Sequence, residues 1–271
     1  MRIGAVILTL LAIYAAGLGV LLRQSTLSPA ASSAQLPEMM ARNGLLSLFM
    51  KRGHYLLQTC CEHSYSDEDG TQWFEVRRAD PPVEGSWRAE TRFLSHPFDR
   101  ALRFGFTISV PADWLPGGPA VTVVQWHAAR DRHLLEGGRS PVLKLVIARD
   151  EWIVTASTDT ALRSQLVDGQ RTAQTRELLR SPMRPGETAD WRFDVIWSAD
   201  EDGLVRIYRD GVPLFTQTGP TAHRDLIAPY LKYGVYVPGW KFDDTPGSPE
   251  RRIRFDAVSM EMDAFERPDE P

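Results

Sequence analysis

From Trp73 to Met262 the chain is a succession of short runs in which apolar and polar residues alternate, or β-branched and aromatic residues dominate, cut by Gly, Pro and Asp clusters. The runs include WFEVRRA from Trp73, SWRAETRFL from Ser86, RFGFTISVP from Arg103, AVTVVQWHA from Ala120 and VLKLVIA from Val142. Further along come DWRFDVIWS from Asp190, GLVRIYRDGVPLF from Gly203, YLKYGVYV from Tyr230 and RIRFDAVSMEM from Arg252. A period of two puts successive side chains on opposite faces, so these runs can bury one face in a sheet but not one stripe of a helix. Asp210-Gly211 stands between two such runs, and both residues tolerate the positive φ that a two-residue hairpin requires. About a dozen strands with turns between them predict an all-β protein, a two-sheet sandwich of jelly-roll type. Eight Trp and 43% hydrophobic residues supply its core. The best helix candidates are short, Pro37 to Lys51 before the first strand and Thr158 to Leu166.

Ahead of the strands, Ile3 to Leu22 is uncharged and almost wholly apolar, flanked by Arg2 and Arg23. The run is long for the apolar segment of a signal peptide and just long enough to span a bilayer as a helix, while SSA at Ser32 to Ala34 offers a weak cleavage site. Residues 1–24 are therefore expected to be a signal peptide or membrane anchor, 25–38 a Ser/Ala/Pro-rich tether, and 39–271 the folded domain. Either reading exports that domain, which would be anchored in the inner membrane facing the periplasm, or be periplasmic or secreted after cleavage. Residues 1–34 hold two Arg and no acid, so the remainder carries 29 basic and 35 acidic residues, a net charge of -6. That balance argues against a nucleic-acid partner, although it permits a local cationic cleft. Cys60 and Cys61 are the only cysteines, and because adjacent residues are poorly placed for a bridge they are read as free or intermolecularly paired. No metal centre is expected from two cysteines with His54 and His63 nearby.

Three strand-like stretches break the apolar pattern with clustered polar residues. In RAETR, Arg88, Glu90 and Arg92 share one face; in QWH, Gln125 and His127 do; in YLKYGVY, Lys232, Gly234 and Tyr236 do. On one concave sheet these stripes would form a cleft suited to a polyanion, with Gly234 leaving backbone room for a ligand. Taken singly, each stripe also fits a solvated face, with Arg88, Glu90 and Arg92 as a cross-strand ion ladder.

Taken in order, Arg-x-Glu, Gln-x-His and Tyr-x-Lys-x-Gly-x-Tyr resemble the jelly-roll polysaccharide lyases: the family-seven alginate lyases, the glucuronan lyases and the heparin lyase I group. The resemblance runs from about Trp73 to Met262. Trp126 stands where alginate lyases usually carry a β-branched aliphatic, and Arg88-Ala-Glu-Thr replaces their usual Arg-Ser/Thr-Glu-Leu, which favours the heparin lyase I and glucuronan lyase side. The resemblance implies a concanavalin A-like sandwich and β-elimination at a uronic acid, the C5 proton leaving and the C4 glycosidic oxygen departing. It implies that Arg88, Gln125 and His127 surround the C6 carboxylate, that Tyr236 is acid or both acid and base, and that His127 is base or charge neutraliser. Lys232, Arg92 and Glu90 would complete substrate binding, and Tyr236 is expected beside His127. The partner so implied is an anionic polysaccharide of glucuronan, heparin or alginate type.

The loop from His127 to Pro141 holds Arg130, Arg132, His133 and Arg139 and is either a lid over the polyanion or an ordinary solvated loop. Glu261 to Glu266 (EMDAFE) has the acidic spacing of jelly-roll glucanases but lies too near the end to build their cleft. Ser66 to Gly70 (SDEDG) reads as a turn, with calcium the one cofactor it could hold, and no cofactor is otherwise expected. The alternatives to a lyase are a non-catalytic carbohydrate-binding jelly roll and a glycoside hydrolase with two opposed carboxylates.

Overall fold

The structure, a computed structural model, describes residues 56–267 except 116, 132–133, 137, 164–165, 168–169 and 243–248. The apolar run, the tether and the expected helix from Pro37 to Lys51 lie outside the described residues. In chain order the strands are β1 (Leu56–Gln58), β2 (Tyr65–Glu68), β3 (Thr71–Arg77), β4 (Trp87–Ser95), β5 (Leu102–Ser109), β6 (Val121–His127), β7 (Leu143–Ala148) and β8 (Glu151–Thr158). They continue with β9 (Leu166–Val167), β10 (Gln170–Arg171), β11 (Gln174–Pro182), β12 (Thr188–Ile196), β13 (Leu204–Arg209), β14 (Val212–Thr218), β15 (Tyr230–Val237) and β16 (Glu250–Met262).

Two seven-stranded antiparallel sheets face each other as a jelly-roll sandwich. The front sheet runs β1-β4-β15-β6-β7-β8-β11, and the back sheet β14-β13-β12-β5-β16-β3-β2. The alternation seen in the sequence explains the layering. Phe104 and Phe106 of β5 meet Trp126 of β6 between the sheets and Phe106 meets Tyr233 of β15, with Trp126 5.1 Å from Phe104 and 4.9 Å from Phe193, ring centre to ring centre, and Ile108 is buried in the same core. Each such fully buried large side chain contributes about 1.5–3 kcal/mol. Asp210 and Gly211 turn the β13–β14 hairpin with φ of 52° and 78°, as the dipeptide predicts.

Two expectations are corrected. No α-helix occurs among the described residues; Thr158 ends β8 and Leu166 begins β9, because β-rich pairing with β11 claims the preceding residues. Cys60 and Cys61 are neither free nor paired between molecules but joined to each other, just after β1 and beside the His63–Asp80 pair. The SDEDG segment ends β2 and turns at Asp69–Gly70 into β3: Asp67 accepts from the Gly70 amide at 3.1 Å and from Gln72 Nε2 at 3.1 Å. Glu261 of EMDAFE lies on β16 of the back sheet, opposite Arg103 and 4.0 Å from its guanidinium, away from the polar stripes of the front sheet.

Candidate active site

The three polar stripes meet. β15 lies between β4 and β6 in the front sheet, which brings residues from three distant segments onto adjacent strands. The core-facing partners fix which way each stripe points. Ala89 and Thr91, Val124 and Trp126, and Tyr233 and Val235 are all buried between the sheets, so by strand alternation Arg88, Glu90, Arg92, Gln125, His127, Lys232 and Tyr236 share the outer face. Register then sets the rows: Lys232 is opposite both Arg92 and Gln125, Tyr230 is opposite His127, and Tyr236 is opposite Arg88.

At the centre, Glu90 accepts 2.5 Å hydrogen bonds from Gln125 Nε2 and Lys232 Nζ, one on each carboxylate oxygen, and Arg88 Nη1 stands 3.6 Å away. Glu90, Gln125 and Lys232 are only 1%, 2% and 3% exposed. They are therefore the floor of the site, and the partly exposed Arg88, Arg92, His127, Tyr230 and Tyr236 lie around them. Burial lowers the Lys232 pKa to about 8, against the pull of Glu90 in the other direction. Its ammonium persists at neutral pH because Glu90 neutralises it at bonding distance. Three cations, Arg88, Arg92 and Lys232, here face two carboxylates, Glu90 and Glu84. The balance favours an anionic guest.

The outer face has two unlike ends. At one, the His127 and Tyr230 rings stack with centres 5.4 Å apart and planes 17° from parallel, and the Arg92 guanidinium lies 4.3 Å above the Tyr230 ring. His127 Nδ1 is 3.0 Å from the Ala128 carbonyl, an acceptor only, so this nitrogen carries the proton and Nε2 keeps its lone pair. Burial, helped by Lys232 and Arg92, lowers the His127 pKa to about 4, leaving a neutral imidazole at ordinary pH. Burial raises that of Tyr230, keeping a protonated phenol. At the other end the Arg88 guanidinium lies 4.7 Å from the Tyr236 ring centre and 3.8 Å from Glu84, which in turn accepts from Gln58 Nε2 at 2.8 Å.

Tyr236 is thus not beside His127. Six residues of β15 separate it from Tyr230, about 20 Å at the rise of an extended strand, and its neighbours are Arg88 on β4 and Thr122 on β6. The phenol that meets the imidazole belongs to Tyr230. The assignment follows from the register and not from the sequence alone: in an antiparallel pair with Gln125 opposite Lys232, the residue two after the glutamine must face the residue two before the lysine. Gln58 and Glu84 carry no comparable signal, since their part depends on β1 joining the sheet edge and on the Val83–Ser86 turn.

Gly234 does not leave room for a ligand. It has φ of +136°, and a Cβ there would fall 2.2 Å from the Ala89 carbonyl oxygen and 2.9 Å from a ring carbon of Phe74. Glycine is required because the β15 bulge presses its backbone against β4 and the core. Arg139 is likewise not a cleft-facing cation. Its side chain is 0% exposed, bonded to Glu136 at 2.6 Å and ion-paired with Asp225 at 3.0 Å, so it anchors its loop to the one that leads into β15. Burial and the surrounding carboxylates raise the Asp225 pKa to about 7, despite Arg139. Arg130 is solvent-exposed on that loop, while Arg132 and His133 lie outside the described residues. Two open clefts, about 480 and 290 Å³, are on the back sheet around Trp73 and Tyr208, away from these groups.

A polysaccharide lyase family profile matches residues 56–259. Among solved structures, the chain is similar to an endo-β-1,4-glucuronan lyase from the fungus Trichoderma reesei, at TM-score 0.61 and 17% identity, covering 78% of this chain and 88% of that one. It is also similar to alginate lyase AlgAT5 of polysaccharide lyase family 7, at TM-score 0.51 and 13% identity, covering 75% of this chain and 84% of the other. At these identities the two likenesses speak to the fold. No curated protein matches in sequence.

Proposed function

Since the chain belongs to the polysaccharide lyase family, we propose that it cleaves a uronic-acid-containing polysaccharide by β-elimination, with His127 as base and Tyr230 as acid. The observation that carries the reading is the stacked His127–Tyr230 pair beneath the Arg92 guanidinium, beside the Glu90–Gln125–Lys232 floor. Elimination needs a base for the weakly acidic C5 proton, a proton for the departing C4 oxygen, and positive charge where the C6 carboxylate takes up electron density. Neutral His127 offers Nε2 to the C5 proton. The electron pair of that C–H bond forms the C4–C5 double bond as the C4–O4 bond breaks, and the Tyr230 phenol protonates O4. Arg92, above the Tyr230 ring, neutralises the carboxylate during the step.

Binding of a polyanion also corrects the weakness of an imidazole that titrates near 4. The substrate carboxylate offsets the field of Lys232 and Arg92, two of the causes that lower the His127 pKa, and so strengthens the base when it is needed. Tyr236, under Arg88, is the second phenol on the face and the alternative acid. Glucuronan is the first polymer to try, followed by alginate and heparin. The apolar run Ile3–Leu22 supports action outside the cytoplasm. Incubation of the folded domain with each polymer, followed by near-ultraviolet absorbance of the unsaturated product, tests the reading. Reducing ends without absorbance would instead indicate hydrolysis, and binding with neither signal a carbohydrate-binding module.

A further inference from the structure

β7 adds one more cation to the site's face. Lys144 is directly opposite Gln125 in the β6–β7 register, while its neighbours Leu143 and Leu145 are buried between the sheets. The lysine therefore shares the outer face with Gln125 and His127. Across the front sheet it extends a row that reads Arg92, Lys232, Gln125, Lys144 and, on β8, Thr155.

Within that row, Lys144 differs from the other cations. Lys232 is neutralised by Glu90, and Arg92 covers the Tyr230 ring. Lys144 is half-buried with no carboxylate in ion-pair range among the described residues. The acid that ends the row, Glu177 opposite Thr155, is held by Arg180 at 2.8 Å. Loss of hydration is accordingly the one cause acting on the Lys144 pKa, which it lowers. Thr155, opposite Lys144, has a buried Oγ1 with no hydrogen-bond partner among the described residues. A half-buried cation beside an unsatisfied hydroxyl is costly unless something pairs with both.

We propose that Lys144 and Thr155 form a distal subsite that binds a second carboxylate of the polyuronate, so that the polymer lies across the strands from β4 towards β8. The inference rests on the lyase reading for the identity of the polymer, not for the existence of the anion site. An ammonium supplies charge and the hydroxyl a directed hydrogen bond. Adjacent strands are about 4.8 Å apart, so Arg92 on β4 and Lys144 on β7, three strands on, are about 14 Å apart at the backbone. That span engages more than one sugar of the chain at a time.

The test is calorimetric binding of glucuronan and alginate, with a neutral β-glucan as control, to the wild type, Lys144→Met, Lys144→Arg and Thr155→Val, alongside thermal melts. Lys144→Met should weaken polyuronate binding about tenfold, Lys144→Arg should restore most of it, and Thr155→Val should weaken it less. Because the lysine is unneutralised in the free protein, Lys144→Met should also keep or raise the melting temperature. Equal polyuronate binding by wild type and Lys144→Met, or a lowered melting temperature in Lys144→Met, would overturn the subsite. Wild-type binding without unsaturated product would count against the elimination chemistry alone and leave this comparison intact.

Discussion

Lys232 and Glu90 are bonded at 2.5 Å in the floor of the site, both almost wholly sealed from water, on strands that the sequence separates by 142 residues. A buried pair of this kind is strongly destabilised when only one member is removed, because the other charge is left without a partner. Glu90→Gln should therefore cost about 3–5 kcal/mol in urea unfolding, and the Glu90→Gln/Lys232→Met double variant less than the sum of its parts. Additive losses would mean that the pair is not coupled.

The two tyrosines separate kinetically. Tyr230→Phe and His127→Ala should each lower kcat by about 10²–10⁴, the usual range for losing a general acid or base, with little change in binding. Tyr236→Phe should mainly raise KM, since its phenol lies at the Arg88 end. The reverse ranking, measured as initial rates of unsaturated product, would move the acid to Tyr236.

Polar residues were the legible part of the sequence, and their partners were not. Alternation in RAETR, QWH and YLKYGVY showed which side chains share a strand face, because a period of two is local. What could not be read was β15 entering between β4 and β6, nor the two bulges that set its register. With Gln125 opposite Lys232, that register assigns the His127 side to Tyr230 and sends Tyr236 to Arg88. Gly234 shows the same limit: the sequence displayed a glycine, but the carbonyl of Ala89 that requires it comes from another strand.

A direct consequence follows for Gly234→Ala. The added carbon would clash with the Ala89 oxygen, and φ of +136° is one that L residues rarely adopt. Destabilisation by about 2–4 kcal/mol is expected, from strain plus overpacking. A shift below about 0.5 kcal/mol in the denaturation midpoint analysis, the range of neutral surface changes, would show that the bulge relaxes freely.

pH dependence follows from the two central pKa values. His127 near 4 keeps its base form well into acid, and Lys232 near 8 loses its charge in alkali, so kcat/KM should be flat between these limits. Bound polyanion raises the His127 pKa, so the acid limb of kcat should lie at higher pH than that of kcat/KM. For stability the sign is set by the lowered folded pKa: between about 6.5 and 4 the unfolded chain binds a proton at His127 that the folded one refuses. The His127 contribution is therefore complete above about 6.5 and is lost as pH falls through that window, in the same direction as buried His96, whose pKa is also about 4. Lys232→Arg should remove the alkaline limb; a limb that stays near 8 in this variant would assign it to another group.

The most direct measurement is the near-ultraviolet absorbance of glucuronan incubated with the wild type and with Tyr230→Phe in parallel. Rising absorbance with the wild type, reduced at least a hundredfold in Tyr230→Phe, is the predicted result. No absorbance from glucuronan, alginate or heparin with the folded wild type, or equal rates for the two proteins, would contradict it.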